Sequence, residues 1–408
     1  MTEAQTVDVI VAGGGPAGLS AGLALAAQGL EVTIVDPLED PGDDRRTSAL
    51  MTASVTMLRE LGVWQRCVDA AAPLKTMRII DDTGRLFRAP TVAFEAREIG
   101  EPAFGWNVPN AALVSALRDQ IAEAEAIALI HSVVEQVEPE QDRVTVTLAD
   151  GTRRSAALLV GADGRNSACR AAAGIDTDSW AYDQAAIVLN LRHDRPHGGV
   201  STEFHRPPGP FTLVPLPGDR SSLVWVETRN MAEAVSTYSD QELAREIERI
   251  SHRILGRVAI DGPRGSYPLT GLIARRYAAK RIPLVGEAAH VVPPIGAQGL
   301  NLGLRDGAAL AELAGDPALS GGDPGSAAVL TAYDRRRRVD ILSRTAAIDM
   351  LNRTLLADLI PAQMLRSAGL AALGWIGPVR RMAMREGVAP RYGLPVMMRG
   401  SSAESSAV

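Results

Sequence analysis

The chain has 408 residues, 46% of them hydrophobic and 22% charged, which suits a soluble globular protein of two or three domains with a large core. Its net charge of −6 argues against nucleic acid as the main partner. Cys67 and Cys169 form no C-x-x-C pair and Pro196 separates His193 from His197, so reduced thiols, no metal site and a cytoplasmic location are expected. No basic leader precedes the first apolar segment, and no run of about 18 apolar residues offers a membrane span.

The first predicted element is a strand through Val7, Val9, Ile10 and Val11, an apolar run suited to burial on both faces. Gly13, Gly15 and Gly18 follow in a G-x-G-x-x-G pattern that contains Pro16 and Ala17 and opens a helix. The first glycine permits the turn, the second admits a pyrophosphate, and the third lets helix and strand pack closely. The helix N-terminus offers unpaired N–H groups to the phosphates. A second strand, Glu31 to Val35, ends in Asp36, which is placed to accept from ribose hydroxyls. This unit predicts a Rossmann-like α/β domain that binds a dinucleotide.

A polar loop leads to RRTSALMTAS, where Arg46 is either a solvated charge or an arginine folded over the cofactor. Thr52 or Ser54 then caps a helix that Gly62 closes. Met77 to Ile80 and Arg85 to Phe87 flank Asp82-Thr83-Gly84, a hairpin signal. Asn110 to Glu125 reads as a helix capped by Asn110, and its Arg118 is surface charge or a pyrophosphate contact. Ala128 to Val137, Arg143 to Leu148 and Ala156 to Val160 read as strands, the last running into Gly161-Ala162-Asp163-Gly164-Arg165-Asn166-Ser167 and a helix containing Arg170.

From Ala185 to Pro268, short alternating segments between proline and glycine turns predict an antiparallel sheet, with a helix at Gln241 to Ile254 lying across it. Phe211 and Trp225 on this sheet are substrate-pocket candidates or plain core. Ile282 to Val285 is a further buried strand, ending in Gly286-Glu287-Ala288-Ala289-His290, and a helix runs from Gln298 to about Leu313. Tyr333 to Leu359 is a long helical pattern whose arginine run, Arg335 to Arg338, reads as a solvated face. Apolar residues from Leu351 to Val379, with Arg366, Arg380, Arg381 and Arg385 nearby, suit either an interfacial helix or packing against protein. The tail from Gly387, rich in Gly, Pro, Ser and Met, is expected to be loose.

Three motifs thus stand in a fixed order: GGGPAG at 13–18, GADGRNS at 161–167 and GEAAHVVPPIGAQGLNLGLRD at 286–306. Together they resemble the class A FAD-dependent aromatic hydroxylases. The third motif, with RRTSALMTASVTMLRELGVW at 45–64, resembles more narrowly the ubiquinone-biosynthesis hydroxylases. One departure is Glu287, where that family's motif commonly carries Asp.

The resemblance implies a discontinuous FAD-binding domain (1–75, 100–180 and 270–345), a substrate domain (76–99 and 181–269), a C-terminal helical region (346–386) that is a candidate for membrane contact, and a tail (387–408). It assigns to the cofactor Gly13, Gly15, Pro16, Ala17, Gly18, Asp36, Arg46, Arg118, Asp163, Gly164, Gly286, Glu287, Pro294, Gly296, Gln298, Gly299, Leu300 and Asn301. Gln298 faces the flavin ring or a substrate carbonyl. Pro293 and Pro294 suit a rigid wall without N–H groups, and the helix after them would aim its positive end at the flavin.

The implied reaction is hydroxylation of a polyprenylphenol through a flavin C4a-hydroperoxide, with NADPH or NADH as transient donor and O2 as co-substrate. The implied setting is cytoplasmic, with peripheral contact at the membrane and partners in a ubiquinone-biosynthesis complex. The flavin carries the hard chemistry, so no catalytic base is assigned. His290 is the one candidate, against its plainer reading as a satisfied structural histidine. Two rivals remain at this stage: a hydroxylase of a small soluble phenol, and a flavin-bound scaffold subunit.

Overall fold

The computed structural model describes residues 5–38, 44, 46–84, 90–294, 296–356, 377–388 and 393–400. Arg45, the expected strand Arg85–Phe87 and the C-terminal apolar residues from Leu359 to Ile376 lie outside the described residues, as does the end of the tail.

The first strand, Gln5–Ala12, is the centre of a six-stranded sheet, with Val9, Ile10 and Val11 wholly buried. It pairs in parallel with Val32–Asp36 on one side and Arg153–Gly161 on the other. Ile127–His131 continues the parallel part beyond Val32–Asp36, while Val144–Leu148 and Val134–Pro139 add antiparallel strands at the opposite edge. The predicted strand Ala128 to Val137 is therefore two strands that lie at opposite ends of the sheet.

Two helices pack closely over this sheet, Pro16–Ala26 and Gln298–Ala314. Small residues make the approach possible. A Cβ on Gly303 would sit 3.1 Å from the Ala17 methyl, and one on Gly307 would sit 3.0 Å from Ala21. Both contacts are tighter than ordinary packing allows, so any side chain there would push the helices apart.

The second sheet has nine strands. Its long strand Thr177–His193 pairs with Arg220–Thr228 and Gly265–Ala274, and Gly209–Leu216 and Val200–Arg206 extend it. Val200–Arg206 then pairs in parallel with Thr76–Asp81, which pairs with Val92–Glu95. Period-two alternation gives this sheet two distinct faces. Phe204, Phe211, Leu213, Leu223 and Trp225 are buried beneath the helices Arg229–Ser236 and Asp240–Ile250. Ser239 caps the second of these helices through a reciprocal capping box with Glu242.

Several expectations are corrected. The helix Asn110–Ala122 has Pro109, not Asn110, at its cap position; the Asn110 side chain instead accepts from Ser48 and donates to Asp44. The helix Thr52–Glu60 has no side-chain cap from Thr52 or Ser54. In the tail, Leu394 and Met398 are buried in the main core and the Val396 N–H donates to Glu312, so 393–400 is packed rather than loose. Arg337, expected on a solvated face, is 1% exposed.

Candidate active site

The glycine turn ends the first strand. The Gly13 N–H donates to Val35 O at 2.8 Å, and its φ of +116° is open only to glycine; a Cβ there would meet Ala162 O at 2.2 Å. Gly15 is the cap of the following helix, which has no side-chain cap and no acid in its first turn. A Cβ on Gly15 would meet nothing within 4 Å. The helix therefore points uncapped N–H groups, with Pro16 at its first position, into open space sized for an anion.

Asp36 closes the second strand against this turn, where a Cβ on Gly14 would overlap its carboxylate. Arg118 Nη2 donates to Asp36 Oδ2 at 2.5 Å and to Leu38 O at 2.7 Å. The structure thus places Arg118 on the ribose-side acid rather than on the open surface.

Asp163 in the second motif is engaged locally. It accepts from Ser167 Oγ at 2.5 Å and from the Cys169 N–H at 3.0 Å, holding the start of the short helix Ala168–Ala173. Each oxygen keeps a further acceptor position, so the carboxylate is held by its own loop without being used up. Gly164 follows with φ +81°. Arg170 donates to Ala288 O and Arg165 O, tying this motif to the third.

The third motif builds the other end of the site. Gly286–Ala288 is a single 3-10 turn that leaves Glu287 exposed on a cavity wall. Pro293 is buried and Pro294 exposed; Gly296 and Ala297 both have positive φ, and the helix Gln298–Ala314 begins there without a side-chain cap. Its first-turn amides, Gln298 to Leu300, have no acceptor within the helix. A Cβ on Gly299 would find its nearest neighbour only at 4.0 Å, so a flat ring has room against the backbone.

The side chains of the same motif hold the loop. Asn301 accepts from the Met51 N–H and Ser54 Oγ and donates to Ala49 O and Ala297 O, which saturates it. Only its backbone remains for a cofactor, contrary to expectation. Gln298 donates to Gly296 O and accepts from Arg344 Nη1, so it braces the loop, and it also lines the cavity with a second amide N–H.

His290 is buried away from the cavity. Its Nε2 is 2.7 Å from Asp306 Oδ2; the same carboxylate also accepts from Arg337 Nε at 2.6 Å and the Gly286 N–H at 3.0 Å. Burial alone would raise the Asp306 pKa, but Arg337 and His290 outweigh it and the net shift is downward. This arrangement fixes the flavin-loop turn from behind and makes His290 a structural residue, not an acid–base group.

Arg46 pairs with Asp44 at 2.9 Å and lies 5.7 Å from the centre of the Tyr267 ring. Hydrogen bonding to Asp44 holds its pKa up against burial, with the charges of Tyr267 and Glu287 adding to that. Arg46 thus stands at the rim of the cavity beside Glu287.

The cavity itself, about 280 Å³, lies between the Pro293–Leu300 loop and the second sheet. Ser201, Glu203, Thr212, Val214 and Val224 line it from the sheet, and Met51, Leu74 and Met77 add apolar surface. Phe211 and Trp225 are on the opposite face, 0% and 2% exposed, with ring centres 5.6 Å apart. The aromatic residues expected in the pocket are core under the two covering helices. The residues missed, Glu203 and Thr212, carry a sequence signal: they alternate with Phe204, Phe211 and Leu213 along their strands.

Two uncapped helix ends, a cradle at Gly15 and a flat approach at Gly296 and Gly299 fit a long, anionic, partly planar cofactor, with carboxylates at Asp36 and Glu287 for its hydroxyls. A Rossmann-like nucleotide sheet joined to a substrate sheet over such a site is the architecture of a flavoprotein monooxygenase. The FAD binding domain family matches residues 6–341. Ubiquinone hydroxylase UbiL of Rhodospirillum rubrum is 36% identical over 388 residues, covering 93% of this chain and 89% of that one. The 3-demethoxyubiquinol 3-hydroxylase of Escherichia coli is 29% identical, covering 93% and 98%. Among solved structures, p-nitrophenol 4-monooxygenase PnpA from Pseudomonas putida superposes with a TM-score of 0.77 at 21% identity, over 95% of this chain and 99% of that one. The chain belongs to the class A FAD-dependent monooxygenases, in the family of the ubiquinone-biosynthesis hydroxylases. It is an FAD enzyme that hydroxylates an aromatic ring.

Proposed function

We propose that this enzyme hydroxylates the ring of a polyprenylated ubiquinone precursor, taking electrons from NADPH or NADH and oxygen from O2. The observation that carries the reading is the cavity beside the flavin loop, whose walls join apolar side chains at Met51, Leu74, Met77, Val214 and Val224 to polar ones at Ser201, Glu203 and Thr212 that a ring hydroxyl can meet. The names of the Rhodospirillum rubrum and Escherichia coli relatives support it.

Bound FAD supplies the reactive oxygen. The protein's part is positional. The Pro16–Ala26 helix and the glycine turn hold the pyrophosphate, while Asp36 and Glu287 bind hydroxyls of the cofactor chain. The start of the Gln298–Ala314 helix stabilises negative charge on the reduced ring. Pro293 and the apolar side chains of the second sheet keep water from the reacting face.

We further propose contact with the membrane that holds the prenylated substrate. Among the described residues no helix is long and apolar enough to cross a bilayer. Val339, Leu342 and Met350 on the helix Ala327–Leu356, and Met382 on Gly377–Val388, are exposed apolar side chains of the kind a peripheral contact uses.

The test is quinone analysis by mass spectrometry in cells lacking the gene, grown with oxygen. A build-up of an under-hydroxylated polyprenylphenol is expected. Unchanged ubiquinone with no such build-up would direct the same chemistry to a small soluble phenol.

A further inference from the structure

We propose that Glu203 accepts the proton of the substrate's phenolic hydroxyl as the ring is oxygenated. The inference rests on the reading of the substrate as a phenol. Along the strand Val200–Arg206, Ser201 and Glu203 face the cavity, while Phe204 is core beneath the covering helices. The Glu203 carboxylate is held from behind on both oxygens. Oε1 lies 2.7 Å from His205 Nε2, and Oε2 accepts from Thr212 Oγ1 at 3.4 Å. His205 is 1% exposed, so it is a fixed support and not a group on the cavity wall.

The wall around Glu203 combines apolar side chains, Met77, Val214 and Val224, with the hydroxyls of Ser201 and Thr212. An apolar ring with one hydroxyl fits such a wall. The other acid on the wall, Glu287, stands on the cofactor side beside Arg46. Glu203 faces the Pro293–Leu300 loop across the cavity, so a ring lying over the flavin would point a hydroxyl at it. Among the described residues, the other ionisable groups around Glu203 on the two paired strands are His205 on its own strand and Asp81, paired in register with His205 on the adjacent strand.

Bound FAD would deliver the oxygen: a ring electron pair makes the C–O bond as the O–O bond of the delivered oxygen breaks, and the phenolic O–H becomes strongly acidic. The O–H bond breaks, its electron pair forms the second bond of a ring carbonyl, and the proton goes to Glu203. The hydrogen on the newly hydroxylated carbon then leaves to water, the ring regains aromaticity, and the carbonyl oxygen takes its proton back from Glu203. No electrons pass through the carboxylate, which ends as it began. His205 and Thr212 are positioning residues for it.

The test uses FAD-loaded Glu203→Gln with a 2-prenylphenol and its ring-fluorinated analogues, whose hydroxyls are progressively more acidic. Flavin content and the Kd of the phenol, read by flavin fluorescence, are expected to stay within a few-fold of wild type. The single-turnover rate constant of hydroxylation should fall about 100-fold, the range of general-base help, and product formed per NAD(P)H oxidised should fall with it, the balance being released as hydrogen peroxide. The deficit should shrink as the analogues become more acidic, and Glu203→Asp, which keeps the base one methylene shorter, should recover part of it. If Gln loses flavin, the Asp variant carries the same comparison across the analogue series.

Wild-type coupling in Glu203→Gln, or a deficit unchanged across the series, would overturn the role of Glu203 alone. Absence of any hydroxylated product from wild-type enzyme with prenylated phenols would overturn the substrate reading, and this inference with it.

Discussion

His290 and Asp306 form a buried pair, 1% and 0% exposed at their side chains, directly behind the turn that carries Glu287. Arg337 completes the arrangement and is itself bound to Asp340 at 2.7 Å. Asp306→Asn removes one of the two carboxylates that balance buried Arg337, leaving Asp340 to serve it together with Arg305 and Arg344. A loss of about 3–5 kcal/mol in unfolding free energy is expected by urea titration. Flavin affinity should fall as well, because the Gly286 N–H loses its carboxylate partner.

The same group gives the protein an acid-sensitive stability. The folded-state pKa of Asp306 is lowered, as is that of Asp340 by Arg337 and Arg305 against the effect of burial. Depressed carboxylates stabilise the fold fully above the unfolded carboxylate pKa of about 3.9, and the contribution is lost as pH falls through the folded values. Thermal melts should therefore hold steady from neutrality to about pH 5 as far as these two groups are concerned, then drop below about pH 4. Asp306→Asn should flatten part of that drop.

Gly15→Asp tests the cofactor cradle. The new side chain would meet no protein atom within 4 Å at its Cβ, so the fold should survive by circular dichroism. Its carboxylate would occupy the anion position at the helix end, and purified protein should show no flavin absorbance and take up no added FAD.

Trp225 and Thr212 separate the two faces of the second sheet. Trp225→Ala is expected to destabilise the protein by about 3–5 kcal/mol, since it empties the core beneath the covering helices. Thr212→Val should leave stability within about 1 kcal/mol but shift KM for the phenol. The two effects are read by denaturant titration and steady-state kinetics.

Glu287→Ala should weaken FAD by about 1.5–3 kcal/mol, the worth of a hydrogen bond to a charged group. Fluorescence titration of flavin-free protein measures it. Arg46, which has Asp44 as its partner, should keep its place in this variant.

The cofactor end of the site was legible because its requirements are local. Gly13, Gly15 and Gly18 answer to one turn, and Asp36 follows at the end of the next strand. The substrate end was not, because both faces of a strand look alike until something covers one of them. Phe211 and Trp225 were attractive as aromatics, yet the helices Arg229–Ser236 and Asp240–Ile250 cover their face and leave Thr212 and Val224 to the cavity. Arg337 failed for a related reason. A run of four arginines reads as solvent-facing, and only a partner some thirty positions away, Asp306, makes burial of one of them tolerable. Asn301 shows a third limit: a polar residue inside a binding motif is as readily spent on holding the loop as on holding the ligand.

The contacts of Gly303 with Ala17 and of Gly307 with Ala21 have a further meaning for ligand choice. They lock the two helices whose N-termini would meet the pyrophosphate and the flavin ring, so the gap between the phosphate cradle and the ring platform is fixed like the jaws of a caliper. A molecule must be long enough to touch both jaws. FMN, with the ring, the ribityl chain and one phosphate, spans the same gap, so the caliper sets the ring-to-phosphate spacing and leaves the choice between the two flavins to the residues that meet the adenylate arm beyond the cradle.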